Sequence, residues 1–248
     1  MGDDFPTSVP APFTLCVRDE VGSTNDEARG LAERGAEDGT VVLARRQTTG
    51  RGRRGAGWFA DAADGLAFSV VLRPHESKAL WPRLALAAGL AVAEAVGTRL
   101  PLVGIKWPND VWLGGRKVAG VLVEAGGDFA VVGIGLNVNV AAFPAELAGI
   151  ATSIRIELGA RVDRGDVLTD LLWRFDLRRR QIDGDFNELL DGVRERCVLT
   201  GHEVTMATAG GPRQGRIEGL GPGGELLLRT AAGVARIIQA DEVRLVGE

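Results

Sequence analysis

Residues 50–55 of the chain place three arginines among three glycines. Guanidinium groups bind carboxylates and phosphates through paired hydrogen bonds, and glycine lets the backbone bend closely around a bound group. A flexible cationic loop of this kind can close over an anion. This glycine-arginine loop therefore predicts a substrate that carries a phosphate or a carboxylate.

Lysine is rare in this chain and is concentrated in one segment. Only three of the 29 basic residues are lysines, and two of them, Lys106 and Lys117, lie within a dozen positions. An ammonium is a compact point charge, unlike the guanidinium that the chain uses elsewhere, so this segment also indicates an anion site. The competing interpretation of Lys117 is an exposed lysine where a strand begins. Nearby glycines favour a ligand site, since they let backbone approach a ligand.

The glycine-arginine loop also has other interpretations. It matches the Gly-x-Gly-x-x-Gly dinucleotide pattern, but that pattern requires a helix to start there, and residues 56–61 have no helical period. A solvated surface loop and an RNA-contacting segment remain alternatives. Trp58 and Phe59 follow directly, and large apolar groups in a polar segment indicate that it folds onto something. Ordering costs about 1 to 2 kcal/mol per residue, so we expect residues 48–64 to act as a lid that closes over a bound anion.

Two polar dipeptide or tripeptide segments have both structural and binding interpretations. Ser23 and Asp26 nearly form a capping box, so residues 23–25 are either a helix cap or part of a site. Asn109 and Asp110 follow a proline, which by itself favours an ordinary turn.

A glycine-rich strand segment at residues 133–139 has one bare face. Its alternate glycines, Gly133 and Gly135, leave room on that face for a flat ring. Asn137 offers an amide that can both donate and accept hydrogen bonds there.

Composition limits the function classes. The chain has 248 residues, 45% of them hydrophobic, and a net charge of -4, which argues against a dedicated nucleic-acid binder. Cys16 and Cys197 have no metal or redox spacing, and two histidines give little material for a metal site or a histidine base. No apolar run reaches the roughly 18 residues that a membrane span needs. We expect a cytoplasmic protein with free thiols.

Periodicity and turn residues predict the elements that position these groups. Alternating apolar residues predict strands, an i, i+4 recurrence predicts helices, and a Gly-Gly-Asp turn predicts one hairpin. The predicted strands are 13–21, 39–46, 65–73, 118–124 and 129–140, and the predicted helices begin near 24 and cover 81–100, 166–182 and 186–196. From residue 200 onward, five short strands are predicted at 203–207, 214–218, 225–230, 234–239 and 242–246. They are typical of a small β-barrel, so we expect domains at 1–199 and 200–248.

Five motifs occur in the order found in the biotin protein ligase family. They are Ser-Thr-Asn at 23–25, Gln47 with the loop at 50–55 and Trp58, Lys-Trp-Pro-Asn-Asp at 106–110, Arg-Lys-Val-Ala-Gly at 116–120, and Gly-Ile-Gly-Leu-Asn at 133–137. The chain resembles that family from Val21 to about Asn139. The resemblance implies an α+β fold, in which a mixed-sheet catalytic domain like that of class II synthetases precedes an SH3-like barrel. One variant of the family adds an N-terminal helix-turn-helix domain, which we do not expect here because about a dozen residues precede the first predicted strand.

The resemblance also implies a reaction and site residues. Biotin and ATP give biotinyl-5'-adenylate and pyrophosphate, and a lysine of a carboxyl carrier domain then attacks the adenylate. The implied catalytic residues are Lys117, Arg51 and Asp110. The implied biotin-binding residues are Ser23, Thr24, Asn25, Gln47, Gly50, Arg51, Gly52, Arg53, Lys117 and Gly120. The implied ATP-binding residues are Arg53, Trp58, Asn109, Lys117, Gly133, Gly135 and Asn137. Mg²⁺ is expected on the phosphates and water, with no protein metal site.

The expected partner is a biotin carboxyl carrier protein or domain, without DNA or membrane, and the chain is either a monomer or a homodimer. The nearest rival is a lipoate or octanoate ligase or transferase, which shares the general architecture. The rival from another class is a nucleic-acid or regulatory module that uses the arginine loop.

Overall fold

The computed structural model describes residues 4–58 and 64–247 of the chain. The strands are β1 Thr14–Val21, β2 Thr40–Gln47, β3 Leu66–Leu72, β4 Val103–Lys106, β5 Asp110–Leu113, β6 Arg116–Ala125, β7 Ala130–Leu136, β8 Glu203–Thr208, β9 Gly211–Leu220, β10 Leu226–Thr230, β11 Gly233–Ile237 and β12 Val243–Leu245. The helices are α1 Thr24–Glu33, α2 Arg83–Gly97, α3 Ala145–Ala148, α4 Ile154–Leu158, α5 Arg164–Arg180 and α6 Phe186–Arg196.

The larger sheet is mixed and has the strand order β1-β2-β3-β7-β6-β5-β4. β1 and β2 are parallel because α1 carries the chain back between them, and the other neighbours are antiparallel. This arrangement confirms the predicted α+β class with a mixed sheet.

Helices cover both faces of this sheet, and the two-residue period of the strands decides which residues each helix meets. Ala28 and Ala32 of α1 pack against Val42, Val71 and Val131 on one face. The intervening strand residues point to the opposite face, where α2 packs together with α5 and α6 in the main core. On the face that α1 covers, the strands extend past the start of that helix. Three glycines lie on this extended part of the face, and the candidate site is located above them.

The five C-terminal strands form one antiparallel sheet in the order β11-β10-β9-β8-β12. All five predicted strands are therefore confirmed as strands. The sheet packs against the rest of the chain: Trp107 Nε1 donates to Gly224 O at 2.9 Å, and the Arg194 side chain donates to Leu220 O. The boundary predicted after residue 199 falls between α6 and β8 and stays a prediction.

Differences from the predicted elements have local causes. The strand predicted to run to residue 140 ends at Leu136, because Asn137 N bonds to Val118 O and the chain turns away. Pro-Asn-Asp at 108–110 favours a turn, and the structure confirms a turn at residues 107–109, after which the unpredicted strand β5 begins at Asp110. The short elements β4, α3 and α4 were not predicted, since four or five residues carry too little period to detect.

Candidate active site

A cavity of about 600 Å³ opens on the α1 face of the large sheet, where the predicted motifs meet. The start of α1, the glycine-arginine loop, the start of β5, the strands β6 and β7, and the loop before β12 all contribute to its lining. The lining residues are Ser23, Thr24, Asn25, Gln47, Arg51, Gly52, Arg53, Arg54, Gly55, Ala56, Gly57, Trp58, Asn109, Asp110, Lys117, Gly120, Val121, Leu122, Gly133, Ile134, Gly135, Asp241 and Glu242.

The first residues of α1 form a buried polar wall of the cavity. Thr24 donates to Gln47 Oε1 from its backbone N at 2.7 Å and from its hydroxyl at 3.1 Å. Ser69 Oγ donates to Asn25 Oδ1 at 2.6 Å. Ser23 occupies the N-cap position, but its hydroxyl makes no capping hydrogen bond. The capping interpretation of this hydroxyl is therefore wrong, and the hydroxyl lines the cavity instead.

The floor is made by the glycines of β6 and β7. Gly120 and Gly135 are direct cross-strand partners, so both present the same face. The Trp58 indole lies on this face, because a Cβ at Gly135 would overlap the indole and one at Gly120 would lie 3.2 Å from it. Gly133 gives room to Asn25 in the same way. The bare strand face predicted from the alternate glycines exists, and side chains of the protein lie against it.

Lys117 reaches the floor because of an irregularity in the β5-β6 pairing. Val111 pairs with Ala119 but Trp112 pairs with Lys117, so one extra residue is inserted. A bulge of this kind changes the face to which the following residue points. Lys117 Nζ lies 2.8 Å from Asp110 Oδ1 and 5.6 Å from the centre of the Trp58 ring. Two of the three predicted catalytic groups therefore form an ion pair inside the cavity.

Arg51 is held by two carboxylates. Its terminal nitrogens donate to both oxygens of Asp26, at 2.5 and 2.7 Å, and Nη2 also lies 3.3 Å from Glu124. The bond from Arg51 holds the pKa of the Asp26 carboxyl below its usual range. The same bond raises the pKa of the Arg51 guanidinium. The ion pair therefore persists through the neutral range and is lost only as the pH falls through the lowered pKa of Asp26.

The second half of the loop contacts the C-terminal sheet. Residues Arg53–Gly55 form a single 3-10 turn, in which Arg54 has a φ of 57°. Arg53 Nη2 donates to Ala240 O at 3.0 Å, and Arg54 forms an ion pair with Asp241. Burial, followed by the neighbouring charge of Arg54, lowers the pKa of the Arg53 guanidinium. The described part of the predicted lid is thus folded against the protein, and Phe59 lies outside the described residues.

Two predicted site residues do not line the cavity. Gly50 lies at the base of the loop, where its carbonyl accepts a hydrogen bond from Trp58 N at 2.9 Å. Asn137 is buried, and its Nδ2 donates to Thr152 O at 3.0 Å. All other predicted site residues are brought together, including Asn109, whose Oδ1 accepts from Arg53 at 3.4 Å.

Several residues at the site were missed from the sequence. Ser69 carried a signal, since it is the only polar residue in a buried strand, and its hydroxyl supports Asn25. The sequence gives no signal for Glu124 and Asp241, because charged residues at strand ends and in turns are ordinary on a protein surface.

Among residues 4–58 and 64–247, no three His, Cys, Asp or Glu side chains are grouped so that they could hold a metal ion. The same described part of the chain contains no helix long and apolar enough to cross a membrane.

An ammonium, three guanidiniums and a glycine floor are features of an enzyme site for anionic ligands, and the comparison with known proteins identifies the family. The model of the biotin/lipoate A/B protein ligase family matches residues 19–139. A biotin-[acetyl-CoA-carboxylase] ligase from Paracoccus denitrificans is 36% identical over 233 residues, which cover 89% of this chain and 96% of that protein. The bifunctional ligase/repressor BirA from Bacillus spizizenii is 33% identical over 236 residues, which cover 92% of this chain and 73% of that protein.

Solved structures agree with this relationship. A biotin protein ligase from Aquifex aeolicus, in complex with biotin and ATP, superposes with a TM-score of 0.85 at 34% identity and covers 94% of this chain and 99% of that chain. The chain belongs to the biotin/lipoate A/B protein ligase family.

Proposed function

We propose that the chain is an ATP-dependent biotin protein ligase. In the first step a biotin carboxylate oxygen bonds to the α-phosphorus of ATP, and pyrophosphate leaves. In the second step a lysine amine of a carrier domain attacks the acyl carbon, loses a proton, and AMP leaves. One observation carries the proposal: residues from all five motifs surround a single cavity that is lined by an ammonium and three guanidiniums.

Lys117 is the proposed catalytic cation. The first step brings a carboxylate and a triphosphate together, so its main obstacle is charge repulsion and alignment. Lys117 Nζ forms an ion pair with Asp110 Oδ1 at 2.8 Å, and an ammonium carries three donors that can contact ligand oxygens. Asp110 is the proposed group that orients the attacking lysine or receives its proton. Arg51 and Arg53 line the same cavity and would neutralise the remaining charge.

The polar wall at the start of α1 is the proposed biotin subsite. Ser23, Thr24, Asn25 and Gln47 carry hydroxyl and amide groups that suit the ureido and carboxylate groups of biotin. Gly52 and Gly120, with Lys117, Arg51 and Arg53, would let backbone and cations approach the same ligand, and Gly50 would shape the base of the loop.

The glycine floor is the proposed nucleotide subsite. A flat base would stack on the Trp58 indole, which lies on the strand face at Gly135, or displace it, with Gly133 beside it. Asn109 and the two cations Arg53 and Lys117 lie close enough to contact phosphates. Asn137 is buried outside the cavity lining, with its Nδ2 bonded to Thr152 O, so we assign it no direct contact with the base. Mg²⁺ would come with the phosphates of ATP.

The proposed acceptor is the lysine of a biotin carboxyl carrier domain. The relative from Paracoccus denitrificans is named for acetyl-CoA carboxylase, which supports a carboxylase carrier as the partner. A cytoplasmic location is also proposed, and both a monomer and a homodimer are compatible with this function.

A transfer assay tests the function directly. The purified chain is incubated with labelled biotin, ATP, Mg²⁺ and a biotin carboxyl carrier domain. We expect ATP-dependent label on the carrier, and no label when the acceptor lysine is replaced by arginine. Label that never appears on the carrier would contradict the proposal.

Lipoate is the second candidate substrate because the matched family includes lipoate ligases. Thermal unfolding with each acid separates the two. A ligand at about 100 times its Kd stabilises the folded state by about 2.7 kcal/mol. We expect biotin to raise the Tm and lipoate to leave it unchanged, and the reverse result would favour the lipoate reaction.

A further inference from the structure

Glu124 joins the glycine-arginine loop to the polar wall, although it is not part of either. It lies near the end of β6, and the Glu124 carboxylate accepts hydrogen bonds from two different elements. Asn25 Nδ2 donates to Oε2 at 2.7 Å, and Arg51 Nη2 lies 3.3 Å from both oxygens. One carboxylate therefore connects the start of α1 to the loop.

Both partners of Glu124 are donors, and this restricts the residue type at position 124. A carboxylate only accepts hydrogen bonds, so it satisfies an amide NH₂ and a guanidinium together. A glutamine of the same shape would turn an NH₂ group toward one of these donors. The chemistry at this position therefore depends on the ionised acid and not on its size.

The carboxylates of Asp26 and Glu124 contact Arg51 from outside the cavity. Arg51 and Asn25 line the cavity, whereas Asp26 and Glu124 do not. The Glu124 side chain is also better shielded from solvent than that of Asp26, at 26% against 58% exposed. An ion pair that excludes water is less screened than an exposed one, so Glu124 is the better shielded of the two anchors, although Asp26 makes the shorter, bidentate contact with Arg51.

We propose that Glu124 is a positioning residue that fixes Arg51 and Asn25 relative to each other, and so holds the loop in register with the biotin subsite. This inference rests on the proposed function for its effect on biotin. Its effect on the loop does not depend on that function. Through Asn25 the same carboxylate also acts on Ser69 and on the space above Gly133.

The test replaces the acid by its amide, Glu124→Gln, and measures two quantities. We expect the biotin Kd, measured by calorimetry without ATP, to rise by about 10-fold or more, because a donor then opposes a donor. We expect trypsin to cleave faster after Arg51, Arg53 and Arg54, with fragments identified by mass. The matched control is Glu20→Gln, which removes the carboxylate of an ion pair with Arg46 that lies outside the cavity. It should change neither quantity.

A polarity swap separates positioning from general damage. In the double variant Asn25→Asp/Glu124→Gln, the amide at 124 donates to a carboxylate at 25 and accepts from Arg51, so loop protection should return toward the wild-type value. If Glu124→Gln does not fold, Asp26→Asn removes the bidentate partner of Arg51, and loop cleavage should change with the same sign. Unchanged biotin Kd and unchanged cleavage in Glu124→Gln would overturn the inference. If the wild-type chain fails the transfer assay but Glu124→Gln is still cleaved faster in the loop, the positioning role stands and only the proposed function is contradicted.

Discussion

The floor and the rim of the cavity are held by different forces. The floor consists of β6 and β7, whose backbones are paired continuously from Ala119 and Leu136 to the hairpin end. The rim is the glycine-arginine loop, whose described contacts with the rest of the protein include ion pairs from Arg51 and Arg54. Backbone ladders are local and buried, whereas exposed ion pairs are weak and are screened by salt. The floor therefore sets the geometry of the site, and the rim is the part that salt and charged ligands can displace.

This difference teaches where a substitution should act. A substitution on the floor is not accommodated locally, because packed strands transmit a displacement to neighbouring side chains. A change on the rim alters a contact that solvent can replace. The following predictions test that contrast from the largest expected effect to the smallest.

Removing the cation of the floor should have the largest effect. Lys117→Ala should lower the rate of biotin-dependent pyrophosphate exchange by about 100- to 1000-fold, as loss of a preorganised charge does in other enzymes. The fold should persist, since the Lys117 side chain is 35% exposed. Lys78→Ala is the matched control, because its ammonium lies on the surface near Gly126 O, away from the cavity. Normal exchange by Lys117→Ala would contradict the catalytic role.

Adding one methyl group to the floor should have an intermediate effect. A Cβ at Gly133 would overlap Asn25 Oδ1, so Gly133→Ala should displace Asn25 from both Ser69 and Glu124. Overpacking of this kind costs about 1 to 3 kcal/mol, which corresponds to a biotin Kd raised roughly 5- to 150-fold. Gly127→Ala adds the same methyl group where no heavy atom lies within 4 Å, and its biotin Kd should not change. Equal biotin affinity of the two variants would show that the floor is not tightly packed.

Breaking an ion pair of the rim should have the smallest effect. Asp241→Asn removes the partner of Arg54 and should increase trypsin cleavage in the loop by about 1.4- to 5-fold at low salt, the range for an exposed pair worth roughly 0.2 to 1 kcal/mol. The difference from wild type should disappear in high salt. Glu218→Gln breaks a pair with Arg229 in the same C-terminal sheet and serves as the control. An Asp241→Asn effect that survives high salt would mean that packing, and not charge, holds the rim.

The elements of the fold were predictable where a period or a turn was strong. The hairpin between β6 and β7, the helix α6 at Phe186–Arg196, and the five C-terminal strands all follow from apolar alternation and glycine turns. β5 was missed because Pro-Asn-Asp has ordinary turn chemistry, and the pairing with β6 that makes Asp110 a strand residue is a long-range contact.

The candidate site was predictable as a set of motifs but not as a network. The five motifs identified most of the lining residues as candidates, and the structure places these residues around one cavity. The sequence does not show that Arg51 is bound by Asp26 and Glu124, because residues 73 positions apart have no visible relation before the strands pair. The bulge that turns Lys117 into the cavity is likewise a property of the β5-β6 pairing and not of either strand alone.

The position of Trp58 gives the protein an optical reporter. The chain has five tryptophans and no tyrosine, so its near-ultraviolet emission comes almost entirely from indoles. Trp81 and Trp107 are buried in the core, whereas the indole of Trp58 lies on the open glycine floor within reach of the Lys117 ammonium. A planar ring that takes up that floor must stack on this indole or push it aside, so occupancy of the proposed nucleotide subsite should change the tryptophan emission without any added dye.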